Sequence, residues 1–158
     1  MENVTRDLKL ARGILVQNGK VLLVQDIRPG QGHYFLPGGS VEPGESVKAA
    51  LLREWGEELG WPIEVGSFRG CLEHTWSYYR KEDAENVTVY EMNYLFSVKA
   101  SEKNLSEDPI SKEAHLKFSW IPLSHLSNIN ILPQPLKSMI PEILDKNSKG
   151  LWESTLDA

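Results

Sequence analysis

Three glutamates on one predicted helix carry the strongest chemical signal in the sequence. Residues 47–59 contain no proline and are rich in Ala, Leu, Glu, Lys and Arg, so we expect a helix there. Glu54, Glu57 and Glu58 stand at positions i, i+3 and i+4 of that helix and therefore point to the same side. These acids repel one another near the negative end of the helix dipole. Because Mg²⁺ and Mn²⁺ prefer oxygen ligands, the spacing predicts a site for a divalent cation.

The residues around the acids indicate how the helix is placed. Pro43-Gly44 predicts a turn before the helix, and Gly60 predicts its end. Gly56 weakens the helix by about 1 kcal/mol relative to alanine, and we expect it to make room for Trp55 or a neighbouring strand. An apolar stripe beside the acids would bury against a sheet, and it consists of Leu51, Leu52, Trp55 and Leu59.

The acids belong to a longer pattern, although an isolated Glu-x-x-Glu-Glu usually lies on the solvated face of a surface helix. From Gly39 to Trp61 the chain reads Gly-x5-Glu-x7-Arg-Glu-U-x-Glu-Glu-x-Gly-U, in which U is a bulky apolar residue. This is the Nudix box, matched at every defined position, and the chain thereby resembles the Nudix hydrolases. Residues 35–39 resemble the aromatic-x-Pro-Gly-Gly lead-in of that family, and residues 120–123 resemble its late strand and turn.

The resemblance implies both a fold and a reaction. The fold is α/β, a Nudix-type α/β/α sandwich with a mixed sheet, in one Nudix hydrolase domain over residues 1–158. The reaction is attack of water on a phosphorus of a diphosphate linkage, assisted by Mg²⁺ or Mn²⁺. The residues implied as catalytic are Glu54, Glu57 and Arg53, and those implied as metal ligands are Gly39, Glu54, Glu57 and Glu58.

The resemblance assigns a structural brace to other residues of the box, namely Gly38, Glu45 and Gly60. In the family the residue that matches Glu45 pairs with the residue that matches Arg53, which also orients a catalytic carboxylate. The two lie about two helical turns apart, so a direct pair requires Glu45 to sit in the bent entry of the helix. The alternative for Arg53 is a surface i, i+4 pair with Glu57.

A general base must stand within hydrogen-bond reach of the attacking water, and the family differs in which glutamate serves. Glu54 is one candidate. Glu107 and Glu113, in the polar segment before Trp120, are the others, as a base or as an extra metal ligand. For both of these loop acids the alternative is a solvated side chain without a role in the reaction.

Five residues outside the box are candidates for substrate binding: Arg12, Arg28, Trp76, Tyr78 and Tyr79. The arginines could contact phosphate, although an ordinary strand-edge or surface position explains them better. The aromatic rings could stack on a base, and sheet packing explains them equally well. Tyr78 and Tyr79 follow Trp61 by 17 and 18 residues, where a tyrosine in the family is a loose marker of dinucleoside polyphosphate hydrolases. We therefore expect dinucleoside polyphosphates or nucleoside triphosphates to be preferred over ADP-ribose or nucleotide sugars.

Alternating hydrophobic patterns and turn signals predict the remaining elements. The predicted strands are Leu8–Val16 and Val21–Asp26, joined by an Asn18-Gly19 hairpin, then Ile63–Trp76, Asn86–Val98 and Leu116–Ile121. The predicted loops are Arg28–His33, Lys81–Glu85 and Ala100–Glu113. An amphipathic helix is predicted over Gln134–Lys146, interrupted by Pro141, and the tail from Ser148 shows no clear pattern.

Composition bounds the partners that we expect. A net charge of −5 argues against binding of long nucleic acids, whereas a small nucleotide substrate with its metal ion remains compatible. The sequence predicts no membrane association, and the single cysteine, Cys71, favours a cytoplasmic location. A homodimer is compatible with the resemblance. The competing function is a non-catalytic Nudix-fold sensor of a nucleotide or metabolite, which loss of the box acids would favour.

Overall fold

Two β-sheets and two α-helices form the part of the chain that the computed structural model describes, residues 3–101, 105–145, 147–148 and 150–156. The strands are β1 Asn3–Ile14, β2 Val16–Gln17, β3 Lys20–Asp26, β4 Tyr34–Phe35, β5 Gly38–Ser40, β6 Ile63–Arg80, β7 Glu85–Ala100, β8 Leu116–Pro122 and β9 Leu151–Ser154. The helices are α1 Val47–Leu59 and α2 Leu136–Ile143, and a 3-10 helix spans Leu123–Asn128. Neither described α-helix has the length and apolar content that a bilayer span requires.

The larger sheet is mixed, as predicted. Its order is β5-β1-β7-β6-β9, in which β1 runs parallel to β7, and β6 runs antiparallel to β7. The smaller sheet is antiparallel, with β3 between β4 and β8 and with β2 joined to β3. One core cluster packs the apolar side of α1 against strand residues such as Leu22, Val24 and Phe96. A second cluster packs α2 against others such as Leu23, Leu72 and Leu95, so two layers of helix enclose the strands.

The predicted hairpin is present, because Asn18 and Gly19 both adopt the positive φ angles, 51° and 73°, that a two-residue turn of this kind requires. The strands around the site are longer than predicted. β1 begins at Asn3 because it pairs with β7 along its entire length, and β6 continues beyond Trp76 to Arg80 because it remains paired with β7. Such long-range pairing is invisible to local patterns.

Four local predictions need correction. Leu52 is 46% exposed, so the buried stripe of α1 consists of Leu51, Trp55 and Leu59. Beyond its chain neighbours and the backbone of its own helix, an added Cβ at Gly56 would meet no atom within 4 Å, so this glycine does not make room for a neighbouring strand. The C-terminal helix is shorter than predicted, and the tail forms β9, which pairs in parallel with β6 over residues 70–73. The predicted end of that helix, at residue 146, and residues 102–104 of the predicted loop lie outside the described residues.

Candidate active site

The ends of helix α1 are fixed by local hydrogen bonds. Ser46 is the N-cap, and its hydroxyl oxygen accepts a hydrogen bond from the Ala49 backbone N–H at 3.1 Å. At the other end, the Gly60 N–H donates to the Gly56 carbonyl at 2.9 Å, and the chain turns away with a φ of 68°. Burial of Trp55 on the core side fixes the rotation of α1 about its own axis, and with it the direction in which the three glutamates point.

Arg53 ties the entry of α1 to the acids. Its guanidinium donates to both carboxylate oxygens of Glu45 at 2.8 and 3.0 Å, and to the Ser40 carbonyl at 2.9 Å. Glu45 precedes the N-cap residue, so it lies in the bent entry, where a direct pair is geometrically feasible. Arg53 also donates to Glu54 at 2.9 Å and to Glu57 at 3.4 Å. The i, i+4 pair thus coexists with the pair to Glu45 and is the longer contact.

The two glycines of β5 bring the backbone into contact with Glu54. Gly38 has a φ of 141°, and a Cβ at this position would lie only 1.9 Å from the Ala11 carbonyl oxygen. A Cβ at Gly39 would lie 2.4 Å from Cδ of Glu54. Only glycine therefore permits this approach, and two residues assigned to metal binding, Gly39 and Glu54, lie directly against each other.

Burial and like charge act together on the acids of α1. Glu58 is 9% exposed, and burial raises its pKa to about 8, with further increases from the charges of Glu54 and Glu113. The charge of Arg12 opposes these increases. Burial also raises the pKa of Glu54, against the hydrogen bond from Arg53. In the absence of a cation, Glu58 therefore tends to hold a proton at neutral pH.

The donor set suits a hard divalent cation. The charge of Glu54 raises the proton affinity of Glu58, and a cation relieves the same repulsion that a proton relieves. Within the described ranges, no three acidic, histidine or cysteine side chains surround a common point, and Glu57 is instead held by Arg53. The Glu57 side chain is 53% exposed and linked to Arg53 only at 3.4 Å, so it can turn toward a cation.

The loop that follows β7 contacts the C-terminal end of α1. The Lys112 backbone N–H donates to the Glu58 carbonyl at 2.7 Å, and the Ser111 hydroxyl contacts the same oxygen at 3.4 Å. This places the charge of Glu113 close enough to raise the pKa values of Glu54 and Glu58. Glu107 contacts Trp120 instead, because its backbone carbonyl accepts the Trp120 indole N–H at 3.0 Å. Of the two loop acids, the structure brings Glu113 to the site.

A cleft of about 460 Å³ opens beside Arg12, which interacts with the charges of Glu58 and Glu54, and we call it the aromatic cleft. Its lining includes Arg12, His33, Phe35, His74, Trp76 and Glu91. The Trp76 indole N–H donates to Glu91 at 2.6 Å, and its ring stacks on Tyr78 with centroids 5.4 Å apart. Neither tyrosine lines the cleft itself, but Tyr78 contacts Trp76, which does. Tyr79 lies on the opposite face of β6, because side chains alternate along a strand.

The two candidate arginines have different positions. Arg12 lines the aromatic cleft, donates to the Leu36 carbonyl at 3.1 Å and lies 5.7 Å from the centre of the Phe35 ring. Burial lowers the pKa of its guanidinium, and the charges of Glu91, Glu58 and Glu54 oppose that effect. Arg12 thus connects the cleft with the acids of α1. Arg28 is largely exposed, is paired with Asp26 and does not line the cleft.

A larger cavity, of about 570 Å³, adjoins the other face of the mixed sheet. It is lined by residues such as Lys9, Tyr90 and Met92 and by the turn before α1, and none of the three glutamates of α1 reaches it. The three glutamates do not line the aromatic cleft either, but Arg12 lines it and interacts with the charges of Glu58 and Glu54, which links the aromatic cleft to the acids of α1.

Glu91 and His74 were missed by the sequence analysis. They are paired across β6 and β7, and both line the aromatic cleft. The sequence contains one usable signal, since a glutamate between Tyr90 and Met92 interrupts an apolar strand. Its meaning depends on the register of β7 against β6, which local patterns do not determine.

A family model described as the NUDIX domain matches residues 7–143, and the chain belongs to the Nudix hydrolase family. It is 29% identical over 120 residues to an uncharacterized Nudix hydrolase of Bacillus subtilis, covering 76% of this chain and 69% of that protein. Against the CTP pyrophosphohydrolase of Escherichia coli, identity is 42% over 65 residues, 39% of this chain and 47% of that enzyme. Against a low-salt glycan biosynthesis protein of Haloferax volcanii, it is 31% over 93 residues, or 58% of each chain.

Solved structures share the fold. A MutT protein from Bacillus halodurans superposes with a TM-score of 0.61 at 16% identity, over 93% of this chain and 88% of that chain. A MutT NUDIX hydrolase from Burkholderia pseudomallei superposes with a TM-score of 0.51 at 25% identity, over 82% and 89%. The α/β class and the mixed sheet predicted from the sequence are thereby confirmed.

Proposed function

We propose that the protein is a Mg²⁺-dependent pyrophosphohydrolase that cleaves the diphosphate linkage of a nucleoside diphosphate derivative. The observation that carries this proposal is that Glu54 packs against Gly39 and its charge raises the pKa of the buried Glu58, while Arg12, which interacts with both charges, lines the aromatic cleft. The family consists of hydrolases that generally use divalent metals, and the CTP pyrophosphohydrolase of E. coli is a relative over part of the chain.

The proposed reaction assigns a separate role to each group of residues in the site. Gly39, Glu54, Glu57 and Glu58 would hold the cation, which polarises phosphoryl oxygens and lowers the pKa of bound water. Arg53 orients Glu54 through the 2.9 Å hydrogen bond. Arg12, with its remaining N–H groups, is placed to contact a phosphate of a nucleotide bound in the cleft. The proton of the attacking water passes to a carboxylate, for which Glu54 and Glu113 are the two candidates beside the site.

For the substrate we propose a nucleoside triphosphate or a dinucleoside polyphosphate rather than ADP-ribose or a nucleotide sugar. Trp76 and Tyr78 form a stacked pair, and Trp76 lines the cleft with 41% of its surface exposed, so a nucleobase can stack against it. A screen of these four substrate classes, with Mg²⁺ and with Mn²⁺, tests the proposal. A clear preference for ADP-ribose or a nucleotide sugar would remove the proposed substrate and leave the metal chemistry intact.

A tyrosine pair on β6 provides a matched test of the base site. Tyr78→Ala should raise KM more than it lowers kcat, because stacking binds the ground state and the transition state equally. Tyr79→Ala is the control, since Tyr79 lies on the opposite face and is 55% exposed. The measurement is KM and kcat of both variants on the best substrate. Equal changes in KM for the two variants would contradict a base site at Trp76 and Tyr78.

The competing function, a sensor without catalysis, differs in one measurable respect. A sensor binds the nucleotide and releases no product at any metal concentration. All acids of the box are present, and the charges of Glu54 and Glu57 act on the buried Glu58, which favours the hydrolase. A homodimer remains a prediction, to be tested by the mass of the protein in solution.

A further inference from the structure

Glu91 presents a fixed carboxylate to the aromatic cleft. Its Oε1 accepts the Trp76 indole N–H at 2.6 Å, and its Oε2 accepts the Asn93 side-chain N–H at 3.2 Å. Asn93 is only 1% exposed and also donates to the Leu72 carbonyl at 3.3 Å, so the amide that holds Glu91 is itself anchored. Each carboxylate oxygen has more than one lone pair, so both can accept a further hydrogen bond from a ligand.

We propose that Glu91 determines base specificity and that the cleft prefers guanine, an inference that rests on the proposed function for its use of the cleft as the base site. A pair of acceptors side by side matches a pair of adjacent donors. Among the common bases, only guanine has such an edge, formed by its N1–H and its N2 amino group. Cytosine and adenine place an amino group beside an acceptor nitrogen, and uracil places a single N–H between two carbonyl oxygens.

The neighbours of Glu91 complement the rest of that edge. The guanine O6 beside N1 requires a donor, and Arg12 and His74 both line the cleft. His74 Nδ1 and Thr155 Oγ1 share a hydrogen bond at 3.1 Å, so only Nε2 is available to a ligand. Burial lowers the pKa of His74, which favours the neutral ring. In the tautomer in which Nδ1 accepts from the Thr155 hydroxyl, the neutral ring offers its Nε2–H as a donor without neutralising Glu91.

The register between β6 and β7 brings His74, Trp76 and Glu91 to the same place. His74 and Glu91 are directly paired across β6 and β7, and Trp76 lies two residues beyond His74 on the same face. The ring of Trp76 is available for stacking, and its N–H donates to the Glu91 carboxylate. The stacking surface and the acceptor carboxylate are therefore held in a fixed relative position. Such an arrangement selects a base by its edge rather than by ring size alone.

Nucleotide binding without catalysis tests this inference. GMP, IMP, AMP, CMP and UMP are titrated into the full chain in EDTA, with binding followed by NMR on the indole N–H signal of Trp76. GMP should bind about 10-fold or more tightly than IMP, which lacks only the N2 amino group, and than UMP. Glu91→Gln replaces one acceptor with a donor and should bring the affinities for GMP and UMP close together. Glu64→Gln, at an exposed position of β6 outside the cleft, should retain the preference.

The outcomes separate this inference from the proposed function. Equal affinity for GMP and IMP in the wild-type protein, or no binding of either, overturns the guanine preference, and this comparison needs no variant to fold. A preference for GMP that survives in Glu91→Gln overturns the role of Glu91. Selective binding of GMP without Mg²⁺-dependent hydrolysis of any guanine nucleotide would support the base site and refute the hydrolase.

Discussion

At the scale of single residues, the site depends on where carboxylates are placed and on what neutralises them. Arg53 donates hydrogen bonds to three acids and one carbonyl. Glu58 is buried, and the opposing positive charge that acts on it is the longer-range charge of Arg12. Glu58 is therefore the acid that gains most from a cation. Arg53, held by Glu45, orients Glu54 through a hydrogen bond. These hydrogen bonds do not involve Glu58, so its carboxylate is available to bind a cation.

Removal of one carboxylate charge should abolish most of the activity. Glu57→Gln and Glu58→Gln should each lower turnover on the order of 100-fold or more, because even outer residues of metal sites contribute about 10–100-fold. The measurement is kcat/KM at limiting Mg²⁺, and Glu64→Gln serves as the charge-matched control. Ordinary turnover by both variants would show that the metal site lies elsewhere.

The stability of the metal-free protein should fall as pH rises. The folded chain retains the proton of Glu58 up to about pH 8, whereas the unfolded chain releases it near the ordinary value of 4.5. Between these values the folded state binds more protons, so the free energy of unfolding decreases with increasing pH. Thermal unfolding in EDTA measures this trend, which should be weaker in Glu58→Gln. An identical trend in both proteins would contradict a perturbed Glu58.

At the scale of elements, α1 shows what local sequence can determine. The i, i+3, i+4 spacing of the acids, the cap at Ser46 and the end at Gly60 are short-range features, and the observed helix spans the predicted residues 47–59. The aromatic cleft was not predicted, because it arises from the pairing of His74 with Glu91 and from Thr155, which is 81 residues from His74. No periodicity within either strand encodes these contacts.

Substitution by alanine should change the stability of the protein in opposite directions at two glycines, Gly56 in α1 and Gly13 in β1. Gly56→Ala should stabilise the protein by about 1 kcal/mol, because alanine favours a helix and the new Cβ would meet no atom within 4 Å. Gly13→Ala in β1 should destabilise it, since a Cβ there would lie 2.9 Å from Val98 and 3.2 Å from Trp55. Chemical denaturation of both variants provides the comparison. A destabilised Gly56→Ala would show that this side of α1 is packed.

At the scale of the whole molecule, the proposed active site combines residues of α1, of the mixed sheet and of the loop before β8. Helix α1 supplies the acids, β5 supplies the backbone of Gly39, and the loop before β8 supplies Glu113. The mixed sheet contributes Arg12 and the aromatic cleft. A cation that binds these parts together should therefore stabilise the folded chain as a unit.

Saturating Mg²⁺ should raise the melting temperature, because a ligand that binds only the folded state shifts the unfolding equilibrium. The shift should be smaller in Glu58→Gln, and this variant should itself be at least as stable as the wild-type protein without metal, since it lacks the buried carboxylate. Calorimetry with and without Mg²⁺ measures both effects. A wild-type melting temperature unaffected by Mg²⁺ would argue against a preformed site.

The central claim is that carboxylates of α1 direct metal-dependent cleavage of a diphosphate linkage. The most direct measurement is the initial rate of hydrolysis of nucleoside triphosphates and dinucleoside polyphosphates by the wild-type protein, at saturating Mg²⁺ and in EDTA, with the products separated and identified. We predict nucleotide products of diphosphate cleavage in Mg²⁺ and none above background in EDTA. Equal rates in EDTA, or no cleavage of any nucleotide with Mg²⁺ or Mn²⁺, would contradict the claim.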